Sequence, residues 1–201
     1  TQNTQLDMKR TVVNLKAIEL MKYDAVSIGD DEFNFGRKFF QENIVKTHLT
    51  LLSCDISDTD IGIKPYIIKE VAGIKIGVIG VTSLLANQKA EGLKFSEPKA
   101  AVASAVAQLR KDNVNIIVLL SHLGESEDLN LINDIQGIDL LITGHSRAKD
   151  EPFTKIANTL VLRPSWEGRR LGKVTFTVGQ DKIKEYKVEE LRLSDQIRDD
   201  P

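Results

Sequence analysis

The sequence predicts an α/β fold built on a mostly parallel sheet. Three observations carry this. Apolar runs of strand length, such as NIIVLLSH (115–122) and IDLLITGH (138–145), are nearly uninterrupted, as strands buried on both faces must be. Segments with apolar residues at helical spacing precede them, so helix and strand alternate through residue 145. Polar, chemistry-bearing residues stand directly after three of the strands, where the loops of an open α/β sheet converge.

MKRTVVNLKAIELMK (8–22) crowds Val13, Ala17, Leu20 and Met21 at helical spacing and leads into the short strand YDAVSIG (23–29). FNFGRKFFQENIV (33–45) suits a helix with Phe35 and Phe39 on one face, followed by the strand THLTLLSCDIS (47–57). KPYIIKEVAGIKIGVIGVTS (64–83) alternates around Ala72-Gly73 and predicts a hairpin whose second arm is central. Its glycines fit no phosphate-binding fingerprint and read as packing residues. EPKAAVASAVAQLRKDN (97–113) is an amphipathic helix with Val102, Ala105, Val106 and Leu109 on one stripe, Pro98 near its start and Asn113 near its end. ESEDLNLINDIQ (125–136) is a further helix between two strands. From TLVLRPSW (159–166) onward the helices stop, and KVTFTVG and IKEYKVEELRL predict hairpin strands of a second, antiparallel or mixed sheet.

The 201 residues, 41% of them hydrophobic, suffice for one domain with a proper core. Twenty-seven basic residues nearly balance 29 acidic ones without a like-charge block, which gives no support to a nucleic-acid partner. No apolar run is long enough for membrane insertion, and the first residues lack a signal-peptide profile. The chain is therefore cytosolic or already processed. The single cysteine, Cys54, excludes an internal disulfide and reads as a buried small residue. His48, between a helix and a strand, reads as a surface residue, and Trp166 as a core, rim or pocket-wall residue.

The three polar strand ends are Asp30-Asp31-Glu32, Ser121-His122 and His145-Ser146-Arg147. Two of the three histidines thus hold equivalent places on separate strands. Imidazole and carboxylate are the ligands that hold Zn, Mn or Fe(II), and a two-histidine, one-carboxylate set leaves positions open for water or substrate. Asp30, His122 and His145 are candidate ligands for one divalent metal. The competing reading needs no metal: residues 30–32 cap the helix that follows.

YDAVSIGDDEFNFG (23–36), VLLSHLG (118–124), DLLITGHSR (139–147), the hairpin segment and LVLRPSWEGRRLGKVTFTV (160–178) together resemble the 5'-nucleotidase family of calcineurin-like metallophosphoesterases, in order and over nearly the whole chain. The resemblance implies a four-layer αββα sandwich over residues 1–193, with residues 194–201 a linker, and hydrolysis of phosphate esters by a metal-activated hydroxide between two metal ions. It also marks departures. Asp30 stands at an asparagine ligand position, and Asp31 at the position of a transition-state histidine, where an anion has the wrong sign. Arg147 replaces a ligating histidine and has no lone pair to give a metal. Arg163 replaces a glutamine near the substrate. The family's D-x-H and G-D segments are absent before Thr1, which implies that sequence and the first strands are missing.

Three functions follow as expectations. One is a non-catalytic module for binding or assembly within a larger protein. A second is a phosphohydrolase with one metal on Asp30, His122 and His145. The third is phosphate or nucleotide binding by Arg147 and Arg163. These arginines are also expected to pair with Asp30, Asp31 or Glu32. The resemblance further implies a periplasmic or surface location and, among relatives with eroded motifs, multihaem cytochrome partners.

Overall fold

The computed structural model describes residues 4–57, 60–145, 153–164, 168–179 and 182–198. Strand β5 (Ile116–His122) shows how the layers are set. Successive side chains of a strand point to opposite faces, so Ile117 and Leu119 join one apolar cluster while Ile116 and Val118 join another. A strand buried on both sides belongs in the middle of a sheet. The order is β3 (Tyr66–Val71), β4 (Ile74–Thr82), β5, β6 (Leu140–Thr143), β8 (Thr159–Leu162), β7 (Phe153–Ile156). Strands β4, β5, β6 and β8 run parallel, with β3 and β7 antiparallel at the edges.

Helices α3 (Pro98–Lys111) and α4 (Glu125–Asp134) cover one face. The predicted stripe Val102, Ala105, Val106 and Leu109 is buried against Ile79, Val81, Ile117 and Leu119. Truncating the fully buried Leu109 to Ala would cost about 2–5 kcal/mol. Helix α3 starts where Pro98 occupies its first turn and the Glu97 carboxylate accepts from the amides of Lys99 and Ala100. It ends as Asn113 turns left-handed at φ 56°.

On the opposite face lies a second β layer in two pieces. Hairpin β9 (Arg170–Gly179) and β10 (Lys182–Arg192) lays Val174, Phe176, Val178, Ile183 and Val188 against Ile116, Val118, Leu140 and Leu160. The parallel pair β1 (Val26–Ser27) and β2 (Leu51–Leu52) is tied to β5 by the Ser27 hydroxyl, which donates to the Leu120 carbonyl at 3.1 Å. Helices α1 (Thr4–Leu20) and α2 (Gly36–Ile44) lie over this pair, where Phe40 and Ile44 close a cluster with Ile28 and Leu51. Phe35 and Phe39 meet edge to face at 5.3 Å, as their spacing predicted. The result is an αββα sandwich.

The Ala72-Gly73 turn has positive φ at both residues, 51° and 82°, the two-residue geometry that matches strand twist. The C-terminal third departs from expectation. TLVL does not join a second sheet: β8 extends the main sheet parallel to β6. It is apolar enough to be buried there, and β7 folds back on it as an antiparallel edge. Only β9 and β10 enter the second layer.

Candidate metal centre

Strands β5 and β6 end side by side, and the loop after β1 comes to meet them. His122 is the last residue of β5, and His145 lies two residues beyond β6. Asp30 follows Gly29 in the turn after β1 and precedes a short 3-10 helix, Asp31–Phe33. The close approach needs glycine on both sides of the His122 ring. A Cβ on Gly29 would lie 2.6 Å from His122 Cε1, and one on Gly144 would lie 3.0 Å from its Nδ1. His145 itself is held at φ 51°, a left-handed backbone that bulkier residues avoid.

Three ligand-type atoms converge as a result. His122 Nε2 lies 3.2 Å from Asp30 Oδ1, His145 Nδ1 lies 3.4 Å from the same oxygen, and the two ring nitrogens are 3.1 Å apart. The rings cross at 67° with centroids 4.9 Å apart, so they do not stack. Two ligands each about 2.0–2.1 Å from a shared tetrahedral cation stand roughly 3.3 Å apart. The triangle already has that spacing. Among the described residues this is the one group of three His, Cys, Asp or Glu side chains close enough to share an ion. The donor set therefore fits a divalent cation.

The other Asp30 oxygen is taken. Lys89 follows the 3-10 helix Leu84–Gln88, and its ammonium donates to Asp30 Oδ2 at 2.6 Å and to Asp31 Oδ1 at 3.3 Å. Burial acts to raise the Asp30 pKa, but the Lys89 hydrogen bond and charge, the turn's own backbone and His122 outweigh it and hold the carboxyl below the usual range.

For Arg163, the expected pairing with the acidic turn is not what forms. Arg163, with its side chain 8% exposed, turns instead to Glu125: Nε and Nη2 donate to Oε1 at 3.2 and 3.1 Å. Glu125 opens α4, and an acid there also faces the positive helix end, so Arg163 finds a better-placed partner than the turn. Arg147, Ser146 and Trp166 lie outside the described residues. Nor do residues 30–32 cap α2, whose N-terminus has no side-chain cap. Glu32 accepts from the Gly29 amide at 2.7 Å and closes the turn, while Asp31 is exposed and accepts from Asn34 at 2.9 Å.

Three further groups had no sequence signal. Lys89 meets Asp30 across 59 residues of chain. Asp128 on α4 is wholly buried and accepts from the Ser121 hydroxyl next to His122. Burial first, with Glu127 and Glu125 adding to it, pushes Asp128 up to about 7. Asp55 is buried beneath the β1 turn. Cys54 is half-buried against the main core, and burial pushes its thiol well up, as an inert cysteine should be. His48 is exposed, as expected.

No protein-family model matches the chain. It is similar to the trifunctional nucleotide phosphoesterase protein YfkN of Bacillus subtilis (24% identity over 206 residues, 81% of this chain) and to a snake venom 5'-nucleotidase of Crotalus adamanteus (28% over 159 residues, 71% of this chain). Among solved structures, the 5'-nucleotidase precursor of Thermus thermophilus superposes with a TM-score of 0.79 over 92% of this chain at 24% identity, a likeness of fold. The chain spans only 14% and 27% of the lengths of the two relatives and 41% of the solved chain. By sequence and by fold, the chain is a homologue of the 5'-nucleotidase-type metallophosphoesterases.

Proposed function

We propose that this chain is a 5'-nucleotidase-type metallophosphoesterase domain that binds one divalent cation on Asp30, His122 and His145 and does not by itself turn over phosphate esters, serving instead in binding or assembly within a larger protein. The ligand triangle, with edges of 3.1, 3.2 and 3.4 Å, carries the first half. A cation held there supplies Lewis acidity and a site for water or an anionic oxygen. Lys89 neutralises the second carboxylate oxygen and so presents Oδ1 alone to the two imidazoles. Gly29 and Gly144 fix the His122 ring between them.

The second half rests on Asp31. Its exposed carboxylate, shared with Lys89, stands where the resemblance puts an imidazole that faces developing negative charge. Arg163 commits Nε and Nη2 to Glu125, and its Nη1, without a hydrogen-bond partner, is buried, so the guanidinium is not presented to a phosphate arriving from solvent. A working one-metal phosphohydrolase is the competing reading, favoured by the positions that three protein ligands leave open. An extracytoplasmic location belongs to the same proposal and is supported by the venom relative.

Calorimetric titration with Zn²⁺ or Mn²⁺, paired with hydrolysis assays on nucleoside 5'-monophosphates and bis(p-nitrophenyl) phosphate, tests both halves. One equivalent bound and no turnover above the metal blank is the expected result. Absence of binding removes the cation, and turnover that depends on His122 removes the silent domain.

A further inference from the structure

Asp55 lies in a hydrogen-bonded line that ends at the metal-centre turn. Three short oxygen–oxygen contacts make the line: Asp55 Oδ1 to Ser53 Oγ at 2.6 Å, Ser53 Oγ to Thr82 Oγ1 at 2.7 Å, and Thr82 Oγ1 to the Ile28 carbonyl at 2.8 Å. Each contact needs one hydrogen between its oxygens, since oxygens that close without one repel. Two hydroxyls supply two hydrogens, and a carbonyl supplies none. The third must come from the carboxyl group.

The surroundings agree with this count. Asp55 is 0% exposed, and its Oδ2 is buried without a hydrogen-bond partner, a place tolerable for a neutral carbonyl oxygen and costly for half of a carboxylate. The groups facing the carboxyl are the Ser53 hydroxyl, the Thr82 amide, which donates to Oδ1 at 2.9 Å, and its own backbone amide, while the nearest titratable neighbour along the chain, Cys54, is kept un-ionised by burial. Among the described residues no Lys, Arg or His pairs with it. We infer that Asp55 is a neutral carboxylic acid in the folded protein, and that its proton, relayed through Ser53 and Thr82, positions the turn of residues 28–30 that presents Asp30 to the metal centre. Burial, which raises the Asp55 pKa against the opposing Ser53 and Thr82 hydrogen bonds, points the same way.

Asp55 touches no ligand, so it acts as a positioning residue, with Thr82 as the link. Thr82 also pairs in register with His122 across β4 and β5, so the line reaches the backbone beside two of the three ligands. The protonation stands independently of the one-cation reading; the positioning effect is read through it.

Infrared difference spectra of the metal-free chain, wild type minus Asp55→Asn, test the protonation at pH 5, where an ordinary aspartate of pKa about 3.9 is more than about nine-tenths ionised. A carboxylic-acid carbonyl band present only in the wild type is expected. A difference confined to carboxylate stretches overturns the inference. Should Asp55→Asn not fold, Ser53→Ala replaces it: it must shift the acid band, and a shift in carboxylate bands alone is the contrary result. The positioning is tested by Zn²⁺ titration of Thr82→Val, expected to bind about tenfold more weakly, and of Thr82→Ser, which keeps the hydroxyl and restores affinity. Wild-type affinity in Thr82→Val overturns it. A wild type that binds no Zn²⁺ refutes the positioning together with the one-cation reading, and the infrared result still decides the protonation.

Discussion

Two carboxylates on the two sides of Ile28 meet opposite fates. Asp30 and Asp55 are 5% and 0% exposed, so burial presses on both to give up charge. Asp30 keeps it, because the Lys89 ammonium stands 2.6 Å away and two imidazoles face its other oxygen. Asp55 has only the Ser53 hydroxyl and backbone amides for company, and its pKa moves up. Burial sets how much the charge state matters, and the partner sets its sign. Asp128, buried against the Ser121 hydroxyl, belongs with Asp55.

The largest expected effect sharpens that grouping. The folded pKa of Asp128, about 7, lies above its unfolded value, so its stabilising contribution is complete below the unfolded pKa and is lost as pH rises through about 7. A rise of that size corresponds to on the order of 4 kcal/mol. Urea unfolding across that window should show wild type losing stability relative to Asp128→Asn as pH rises; parallel curves would place Asp128 with Asp30 instead.

Next comes the metal centre. His122→Ala or His145→Ala removes one of three ligands and should weaken Zn²⁺ binding by at least about 100-fold, given that outer partners alone cost about 10–100-fold. Unchanged calorimetry would break the site. Lys89→Met is expected to lower the stability of the metal-free protein by about 1–2 kcal/mol, discounted for the ammonium's partial exposure. Added Zn²⁺ should recover most of that loss, because the cation takes over the neutralisation of Asp30; thermal melts with and without metal measure it. The smallest effect belongs to Asp31→Ala. Its exposed side chain should change stability by less than about 0.5 kcal/mol and leave Zn²⁺ affinity intact. A large loss would mean that Asp31, rather than Asp30, is the carboxylate that matters.

Much of this was legible along the chain. The stripe of α3, the uninterrupted apolar strands β5 and β6, and the Ala72-Gly73 turn are local patterns, each fixed by side-chain periodicity or by a backbone that few residues accept. That periodicity also delivered His122 and His145 to neighbouring strand ends, since parallel strands in register end together. Charge pairing was not legible. Charge alone matches the acidic turn to Arg163, yet Arg163 is held by Glu125 and Lys89 arrives from 59 residues away. Sheet membership of β8 failed for a related reason, because an apolar run does not say which edge it extends. The sequence by itself determined the helices α1 to α4, the central strands β4 to β6 and their apolar faces, for these depend on neighbours a few residues off. Only the tertiary structure decided which buried carboxylate stays charged, because electrostatic energy falls with distance through space and takes no account of separation along the chain.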